Sequence, residues 1–470
     1  MVTDTFGAST NRNAAARSQS DGLFAAGFKE TPLWWDDAQP LDLTPRNDNG
    51  GLHNSSLPNR VDVAVIGSGY TGLNAALETV RGGRSTLVLD AEQAGWGCSS
   101  RNGGQISTSI KPSIEKLAKK FGVERAVAIH REGQSALEWI ADFIRSEAID
   151  CDFSHVGRFH AAHTPAHYEM LAREAKRNTV ETAGVEMIPR SEQRKELGSN
   201  AYFGGALYPN HASLHPAKYH SELLKRVLNA GATVLAHTPV LQIEKTSDGY
   251  ILTTNRGSVV ARDVVVATNG YSGKILPWLR RRIIPIGSYI IATEVLPAAL
   301  VNDLFPKNRI ASDTCRVVYY YRASPDRRRI VFGGRVSARE TDPKLSAPAL
   351  YKDMTRIFPE LRDYRISHSW AGTVAYSFDT LAHCGRHDGM YYAASYCGSG
   401  VSMASYLGMR TGKRILGLES GKTAFDDLPF PTRPLYYGTP WFLPATVAWY
   451  RWCDTRASEK AKRHATPLGR

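Results

Sequence analysis

One glycine-rich segment constrains the fold of this chain more than any other feature of the sequence. The segment Gly67–Gly72 reads G-S-G-Y-T-G; it follows a short β-branched run at 61–66 and precedes a helical pattern at 73–81. A second apolar run, 85–90, ends in an aspartate. Strand, glycine turn, helix and strand with a terminal acid form the order of a Rossmann βαβ unit. The sequence therefore predicts a region built to hold a dinucleotide.

Each glycine of this motif has a physical task. Gly67 permits the tight turn after the strand, Gly69 lets a pyrophosphate approach the backbone, and Gly72 lets helix and strand pack closely. The helix N-terminus offers N–H donors and the positive end of its dipole to the phosphates. Asp90 can accept hydrogen bonds from a ribose, and its charge would repel a 2′-phosphate. The motif alone leaves both NAD and FAD open.

Two further glycine-rich loops favour FAD. The first, at 95–105, is rich in glycine and hydroxyl groups and follows closely behind the βαβ unit. An NAD-dependent dehydrogenase has no need of such a loop, whereas a flavin ring extends beyond the pyrophosphate and needs close backbone approach along it. The second, 398–401, opens a helical pattern that runs to about Leu418.

The organisation of the chain predicts an α/β fold in two interleaved parts. At 470 residues the chain is too long for one ordinary core. Helices and strands alternate at both ends, with antiparallel β patterns between them. We expect a Rossmann-type FAD-binding domain interleaved with an α+β substrate domain built on an antiparallel sheet. The predicted boundaries are an N-terminal tail or arm at 1–57, a discontinuous FAD-binding domain at 58–150, 200–280 and 365–425, a substrate domain at 151–199 and 281–364, and a C-terminal extension at 426–470.

The loop 99–105 reads S-S-R-N-G-G-Q. Here the sequence resembles the D-amino-acid oxidase-like superfamily of FAD-dependent amine and amino-acid oxidoreductases. Within it the chain is most similar to the gamma-glutamylputrescine oxidoreductase type, whose Ser-x-Arg-Asn-Gly-Gly-Gln loop recurs here. The resemblance covers about residues 30–450 and implies an enzyme that oxidises an amine. The other matching motifs are Leu214-His215-Pro216, Thr238-Pro239-Val240, Ala267-Thr268-Asn269-Gly270, Tyr320-Tyr321-Arg322, Phe332-Gly333-Gly334-Arg335, Trp370-Ala371-Gly372 and Gly398-Ser399-Gly400-Val401.

The resemblance also implies where the cofactor binds. Val240 is expected to contact the adenine side through its backbone, and 398–402 to set a helix N-terminus beside the flavin pyrimidine. Flavin reduction brings negative charge to that side of the ring, and a helix N-terminus stabilises an anion there. The predicted FAD-binding residues are Gly67, Ser68, Gly69, Tyr70, Thr71, Gly72, Asp90, Ala91, Ser99, Ser100, Arg101, Asn102, Gly103, Gly104, Gln105, Val240, Ala267, Thr268, Asn269, Gly372, Gly398, Gly400, Val401 and Ser402.

We expect FAD to bind without a covalent link to the chain. Some members of the superfamily tether the cofactor through a histidine in the loop after the βαβ unit, where this chain has Arg101. Others use a cysteine before the late aspartate; counted from Asp379, that place is Gly372.

Flavin-dependent amine oxidation asks little of the protein: a neutral amine, a C–H bond held over flavin N5, and exclusion of water. A strong general base is not obligatory, so no catalytic dyad is expected. Tyr320 and Arg322 share one face of a predicted strand, and Arg335 sits on a following strand. These three are the predicted catalytic residues, because an arginine there can clamp a substrate carboxylate bidentately. For each of the two arginines, the alternative is a structural or solvated side chain.

Several tyrosines and histidines are weaker candidates for the substrate-binding and acid–base residues. Tyr289, Tyr319 and Tyr321, like Tyr320, can wall an amine by cation–π contact or fill the core of the sheet, and core packing is the more frequent use. His215 precedes a proline at a predicted helix start, which favours a capping role. The remaining acid–base candidates are His211, His368 and His383.

Composition limits the other classes of site. The six cysteines are scattered, with no C-x-x-C pair and no Cys/His cluster of metal-ligand spacing, so neither a metal site nor a disulfide framework is expected. No run approaches the ~20 consecutive apolar residues that span a bilayer. The polar N-terminus lacks the apolar core of a secretory signal, which favours a cytoplasmic location.

The net charge of +13 is compatible with several classes of binding partner. Basic residues are dispersed apart from 280–282 and 327–329, which predicts a generally basic surface and no nucleic-acid binding. The expected partners are a small-molecule amine and O2 or another electron acceptor. One alternative is a flavoprotein that acts on tRNA. Another is a membrane-surface amine dehydrogenase that passes electrons to quinone; its support is the aromatic, basic C-terminal stretch from 441 onward, which packing against the body explains equally.

Overall fold

A computed structural model describes residues 22–43, 57–177, 179–180, 182–334 and 342–465 of the chain. The predicted tail at 1–57 is therefore described only in part. Arg335, one of the three predicted catalytic residues, lies outside the described residues.

The described residues form two large sheets with helices packed on them. The strands are β1 Phe24–Lys29, β2 Arg60–Ile66, β3 Thr86–Leu89, β4 Gln105–Ile106, β5 Arg158–Ala161, β6 Glu186–Ile188, β7 Gly205–Tyr208, β8 Ala212–Ser213, β9 Thr233–Leu235, β10 Val240–Thr246, β11 Gly249–Thr254, β12 Gly257–Val266, β13 Ile284–Thr293, β14 Ile310–Asp313, β15 Tyr320–Ala323, β16 Ile330–Gly334, β17 Ile366–Tyr376, β18 His383–His387 and β19 Met390–Ala394.

The α-helices alternate with these strands over much of the chain. They are α1 Tyr70–Arg81, α2 Cys98–Arg101, α3 Ile114–Phe121, α4 Val123–Ser146, α5 Pro165–Lys176, α6 Pro216–Asn229, α7 Pro277–Arg280, α8 Ala298–Leu304, α9 Pro343–Ile357, α10 Gly400–Ile415 and α11 Leu443–Ala465. Short 3₁₀ turns lie at Leu33–Asp36, Gln193–Lys195, Asn269–Tyr271, Pro359–Leu361 and Glu419–Gly421.

The first sheet is the predicted dinucleotide-binding sheet. Its strands run in the order β10-β11-β12-β2-β3-β9, and β19 joins the end of β12 and pairs with β18. The contacts of β2 with β3 and β12, and of β3 with β9, are parallel, and the middle of β2 is fully buried. Strands covered on both faces must be apolar throughout, which is why 63–66 reads as a continuous apolar run. The predicted α/β fold class is confirmed.

The second sheet has nine strands in the order β1-β17-β13-β16-β15-β14-β5-β7-β6. It is mainly antiparallel, with parallel contacts at β1–β17 and β5–β14. Helix α9 packs on it, and Leu350, Met354 and Phe358 are fully buried against Phe332 and Tyr289.

The sheets divide the chain at different places from the predicted domain boundaries. Strand β7 and strand β17 both belong to the nine-stranded sheet, although the sequence analysis assigned 200–280 and 365–425 to the FAD-binding part. Strand β7 is short and pairs with β5 and β6, and β17 is mixed in pattern and pairs with β13 and β1. Local residue pattern therefore could not identify the sheet to which each belongs.

Two local features depend on the backbone. Residues 114–146 form two helices, because Gly122 between α3 and α4 has a φ of +83°, a backbone conformation that ends a right-handed helix. The strand that holds Tyr320 and Arg322 begins at Tyr320, and the preceding residues form a loop.

The N-terminal segment 22–43 is part of the body. Strand β1 pairs with β17, and Trp34 is fully buried beside Trp370, with its ring 5.1 Å from the ring of His215. The indole Nε1 of Trp34 donates a hydrogen bond of 2.8 Å to the carbonyl of Asn102. The described part of the predicted N-terminal tail or arm therefore contacts both the nine-stranded sheet and the loop 95–105.

The C-terminal stretch forms α11. Leu443 and Val447 are buried against Ile284 and Ile286 of β13, whereas Trp449 and Trp452 are 55% and 46% exposed. None of the described helices combines the length and the apolar character that crossing a bilayer requires.

Replacing Trp34 by alanine should lower the free energy of unfolding by about 3–5 kcal/mol, because the change empties a fully buried site and removes a hydrogen bond to the loop 95–105. Urea denaturation measures the loss. The matched control is Trp449→Ala, an exposed tryptophan whose removal should change stability by no more than about 0.5 kcal/mol. Equal stability losses in the two variants would contradict this account of the N-terminal segment.

Candidate active site

A single continuous cavity of about 1550 Å³ runs from the glycine turn at 67–72 to α11. Most small-molecule sites occupy about 300–1,000 Å³, so this cavity has room for a dinucleotide and a second molecule. Both large sheets contribute to its walls, together with the loop 95–105 and the start of α10.

The dinucleotide end is built as the motif predicts. Gly67 has a φ of +105°, and a Cβ placed there would lie 3.0 Å from the carbonyl oxygen of Ala267. A Cβ on Gly72 would lie 1.9 Å from the carbonyl oxygen of Gly67, so α1 can approach the turn only without a side chain. Gly69 and Tyr70 at the start of α1 line the cavity, where the helix dipole favours an anion.

Asp90, at the end of β3, closes this turn. Its Oδ2 accepts hydrogen bonds from the backbone N–H and the hydroxyl of Ser68, at 2.7 and 2.6 Å, and its Oδ1 accepts one from the N–H of Glu92. The carboxylate is thereby held at the cavity wall beside Ala91. A carboxylate has about four acceptor positions, which leaves capacity for a ribose hydroxyl.

The loop 95–105 crosses the middle of the cavity. It contains the short helix α2, and the hydroxyl of Ser99 accepts a hydrogen bond of 2.9 Å from the N–H of Tyr70, the first residue of α1. Within the loop, Asn102 accepts from the N–H of Gly104 and donates to the carbonyls of Cys98 and Ser99. The loop is thus fixed to the dinucleotide end.

Arg101 is held on both sides by contacts that fix its orientation. Its Nε donates to the carbonyl of Trp96 at 2.6 Å, and its Nη1 donates to the carbonyl of Ala371 at 3.2 Å. The guanidinium lies over the rings of Trp35 and Trp96, at 4.7 and 4.3 Å from their centroids. Arg101 lines the cavity from this position.

Arg322 does not face the cavity, and its predicted role as a carboxylate clamp is wrong. The side chain is buried, and it donates to the carbonyls of Gly104, Leu214 and Ala323 at 2.9–3.0 Å. Burial lowers its pKa to about 10, so the guanidinium remains charged at neutral pH. It is a structural support beneath the loop 95–105, and the period-2 pattern of β15 could not reveal which neighbour it meets.

The start of α10 faces the cavity from the far side. Gly398 has a φ of +100°, and the hydroxyl of Ser399, the residue before the helix, donates to the carbonyl of Ser109 at 2.9 Å. Gly398, Gly400 and Val401 line the cavity, and Lys111 lies over the ring of Tyr376 at 5.6 Å. A helix N-terminus and a lysine therefore converge where the resemblance expects the flavin pyrimidine.

Most of the predicted FAD-binding residues line this one cavity. Those that line it are Gly67, Gly69, Tyr70, Thr71, Asp90, Ala91, Ser99, Arg101, Asn102, Gly103, Gln105, Val240, Ala267, Thr268, Asn269, Gly372, Gly398, Gly400 and Val401. The others support the wall from behind it: Ser68, Gly72, Ser100, Gly104 and Ser402. Their sequence motifs could not separate residues that face a ligand from residues that hold the loop.

We define the substrate end of the cavity as the part lined by β5, β13, β14, the loop 314–319, Tyr320 of β15 and α11. Tyr320 lies here, its ring next to Gly103 and its hydroxyl hydrogen-bonded to that of Ser288 at 2.8 Å. The other tyrosines considered with it, Tyr289 and Tyr321, are buried in the core of the sheet, and Tyr319 donates to Asp353.

Sequence reasoning missed the charged residues of the substrate end. Arg158 and His160 alternate along β5 so that both line the cavity, as does Lys111. Arg158 donates to the hydroxyl of Ser109 at 3.2 Å and lies over the ring of Tyr208 at 5.2 Å. The R-x-H alternation at 158–160 was the available signal, and only the pairing of β5 with β14 brings it to the cavity.

His160 is neutral in this setting. Burial, followed by the charges of Arg158 and Lys111, lowers its pKa to about 3. Its Nδ1 lies 2.9 Å from the hydroxyl of Ser312 on β14. The four histidines that the sequence suggested lie outside the cavity lining; among them, His215 accepts from the N–H of Lys218 and so caps α6, as expected.

Asp313 is the buried carboxylate of the substrate end. Burial raises its pKa to about 7, although hydrogen bonds from the N–H groups of Tyr319 and Cys315 act in the opposite direction. Its second oxygen lies 3.3 Å from the hydroxyl of Tyr202. The N–H donors of Cys315 and Tyr319 tie Asp313 to the loop that follows it.

Comparison with known proteins identifies the class. The family described as FAD dependent oxidoreductase matches residues 62–414, and the chain belongs to this family. It is an enzyme whose cofactor is FAD. Gamma-glutamylputrescine oxidoreductase of Escherichia coli K12 is 30% identical over 78% of this chain and 86% of its own length. A probable oxidoreductase, OrdL, of Haemophilus influenzae is 28% identical over 79% of this chain and 86% of its own.

Solved structures share the fold. Glycine oxidase of Geobacillus kaustophilus superposes with a TM-score of 0.66 at 18% identity, covering 80% of this chain and 99% of that one. L-proline dehydrogenase of P. horikoshii gives a TM-score of 0.65 at 18% identity, covering 83% and 99%. These similarities show that the chain has the fold of these flavoprotein structures.

Gly72→Ala should reduce FAD retention at least tenfold, equivalent to about 1.4 kcal/mol, because the added Cβ pushes the start of α1 away from the turn. The ratio of flavin to protein absorbance in the purified protein measures this. Gly27→Ala is the control, since a Cβ at that position meets nothing within 4 Å. A folded Gly72→Ala protein with full flavin content would contradict this reading of the turn.

FAD should leave the chain when the protein is denatured, since Arg101 and Gly372 occupy the places of the tethering residues. Acid precipitation followed by centrifugation should leave the yellow colour in the supernatant. Yellow colour in the washed pellet, or a peptide whose mass includes the flavin, would contradict non-covalent binding.

Proposed function

We propose that this enzyme oxidises the C–N bond of a primary or secondary amine that also carries a carboxylate, with a gamma-glutamyl amine as the leading substrate and an N-alkyl amino acid as the second. The chemistry that bound FAD supplies is acceptance at N5 of a hydride from the carbon beside nitrogen, with hydrolysis of the resulting imine and return of the electrons to O2 or another acceptor. One observation carries the proposal: the cavity continues from the loop 95–105 into a pocket with excess positive charge.

The charge of the substrate end supports an acidic substrate. Among the described residues that line it or its border with the loop, Lys111, Arg158 and Arg316 are basic and Asp313 is acidic. Arginines bind carboxylates through fixed, charge-assisted donors. With Arg322 turned away from the cavity, Arg158 and Arg316 are the arginines of this end that can take the role first assigned to it.

The same charges support the oxidation step. An amine must lose its proton before its C–H bond can give up a hydride, and nearby cations lower the pKa of an ammonium group. Lys111 and Arg158 already have this effect on His160. A bound amine is therefore favoured in its neutral form without a dedicated base, while Tyr320 and Ser288 form the adjacent wall.

The relatives favour the gamma-glutamyl amine among acidic amines. The E. coli relative is named for gamma-glutamylputrescine, which joins a carboxylate-bearing glutamyl group to a primary amine through an aliphatic chain. A pocket with apolar walls on β13 and arginines beyond them suits such a molecule.

Anaerobic mixing of the holoenzyme with an amine panel tests the proposal. Gamma-glutamylputrescine should bleach the visible flavin absorbance faster than sarcosine, glycine or butylamine at equal concentration. Hydrogen peroxide release and dye reduction by the turning-over enzyme then distinguish O2 from another acceptor. If no amine of the panel reduces the flavin, the proposed function is wrong.

A further inference from the structure

We propose that α11 and the loop 314–319 form a distal binding subsite for the non-reacting end of an elongated substrate, with Arg316 binding its carboxylate. The inference rests on the proposed function and names the part of the cavity that selects the substrate. The family match ends at residue 414, so α11 lies beyond the segment that defines the family.

Helix α11 forms a wall of the cavity. Leu443, Thr446 and Tyr450 line it, at a spacing that brings them to one face of the helix, and Phe442 lines it from the residue before the helix. Leu443 is buried against Ile284 and Ile286, which line the cavity from β13. Substrate atoms between α11 and β13 therefore meet apolar side chains, which suits a methylene chain.

The loop 314–319 is fixed by two carboxylates. Asp313 accepts hydrogen bonds from the N–H groups of Cys315 and Tyr319, both at 3.2 Å. Asp454 of α11 accepts from the N–H groups of Arg316 and Val317, both at 3.1 Å. The two carboxylates thus bind the N–H groups of Cys315, Arg316, Val317 and Tyr319, and a preorganised loop loses little entropy when a ligand binds.

Arg316 is the side chain that this arrangement presents. Its guanidinium lies over the ring of Tyr450, 5.9 Å from the centroid, and both residues line the cavity. The side chain is exposed, so the subsite lies where the cavity meets solvent. A guanidinium at a solvent-accessible mouth can bind a carboxylate without the cost of full burial.

The separation between Arg316 and Tyr320 suits one elongated substrate molecule. Tyr320 lies next to Gly103 of the loop 95–105. Arg316 precedes Tyr320 by four residues, which span at most about 14 Å when extended. The amine end of the substrate then lies near Tyr320 while its carboxylate reaches Arg316. An amine without a remote acid gains nothing from this subsite.

The experiment compares gamma-glutamylputrescine with butylamine as substrates of the full-length holoenzyme. Arg316→Gln should raise the KM for gamma-glutamylputrescine at least tenfold with kcat within twofold, and leave the KM for butylamine unchanged. Asp454→Asn, which weakens the hold on the loop, should cause a smaller selective rise. Arg456→Gln is the matched control, because Arg456 also lies over an aromatic ring of α11, that of Trp452, but on the exposed face.

A binding measurement separates this inference from the proposed function. The probe is gamma-glutamyl-n-butylamide, which has the glutamyl group and the chain but no terminal amine; calorimetry should give at least tenfold weaker binding to Arg316→Gln than to the wild type or Arg456→Gln. Equal binding overturns the subsite even where amines reduce the flavin. A selective loss in Arg158→Gln rather than Arg316→Gln also overturns it, by locating the carboxylate on β5.

Discussion

The loop 95–105 is the connection on which the active site depends. Its Ser99 binds the first N–H of α1, and the carbonyls of Arg101 and Asn102 accept hydrogen bonds from Trp370 and Trp34. Beneath it, Arg322 binds the carbonyl of Gly104. One loop therefore links the dinucleotide-binding sheet, the N-terminal segment and the nine-stranded sheet, and a shift of any of these would change the distance between the cofactor and the substrate wall.

The electrostatics follow from this geometry. Because the two sheets meet at the loop, cations from separate parts of the chain, Lys111, Arg158 and Arg316, line one cavity. Burial, followed by the charges of Arg158 and Lys111, keeps His160 neutral. Under the proposed function, the same charges favour a neutral amine and attract an anionic group without a catalytic acid–base pair.

Much of the cofactor site was predictable, since each motif combines residue type with local order. A glycine at 67 or 72 is required by a backbone conformation or a contact within the same βαβ unit, and those requirements are local. The substrate end was much less predictable. Tyr320 lines the cavity, and its catalytic role stays a prediction. Arg322 was assigned to the wrong side, and Arg158 and His160 were missed, because the orientation of these side chains depends on strand pairing with β14 and β16.

The sequence by itself determined the α/β class and the dinucleotide turn with Asp90, because a strand, a tight turn and a helix N-terminus are encoded within about thirty consecutive residues. The choice of FAD came from two other continuous segments, the loop 95–105 and the helix start at 398–401. Only the tertiary structure decided that β7 and β17 join the substrate sheet, that Arg322 supports the loop 95–105, and that α11 walls the cavity. Those outcomes rest on contacts between separate segments of the chain, such as Arg322 with Gly104 and Leu443 with Ile284. No local pattern of residues specifies which partner such a side chain will meet.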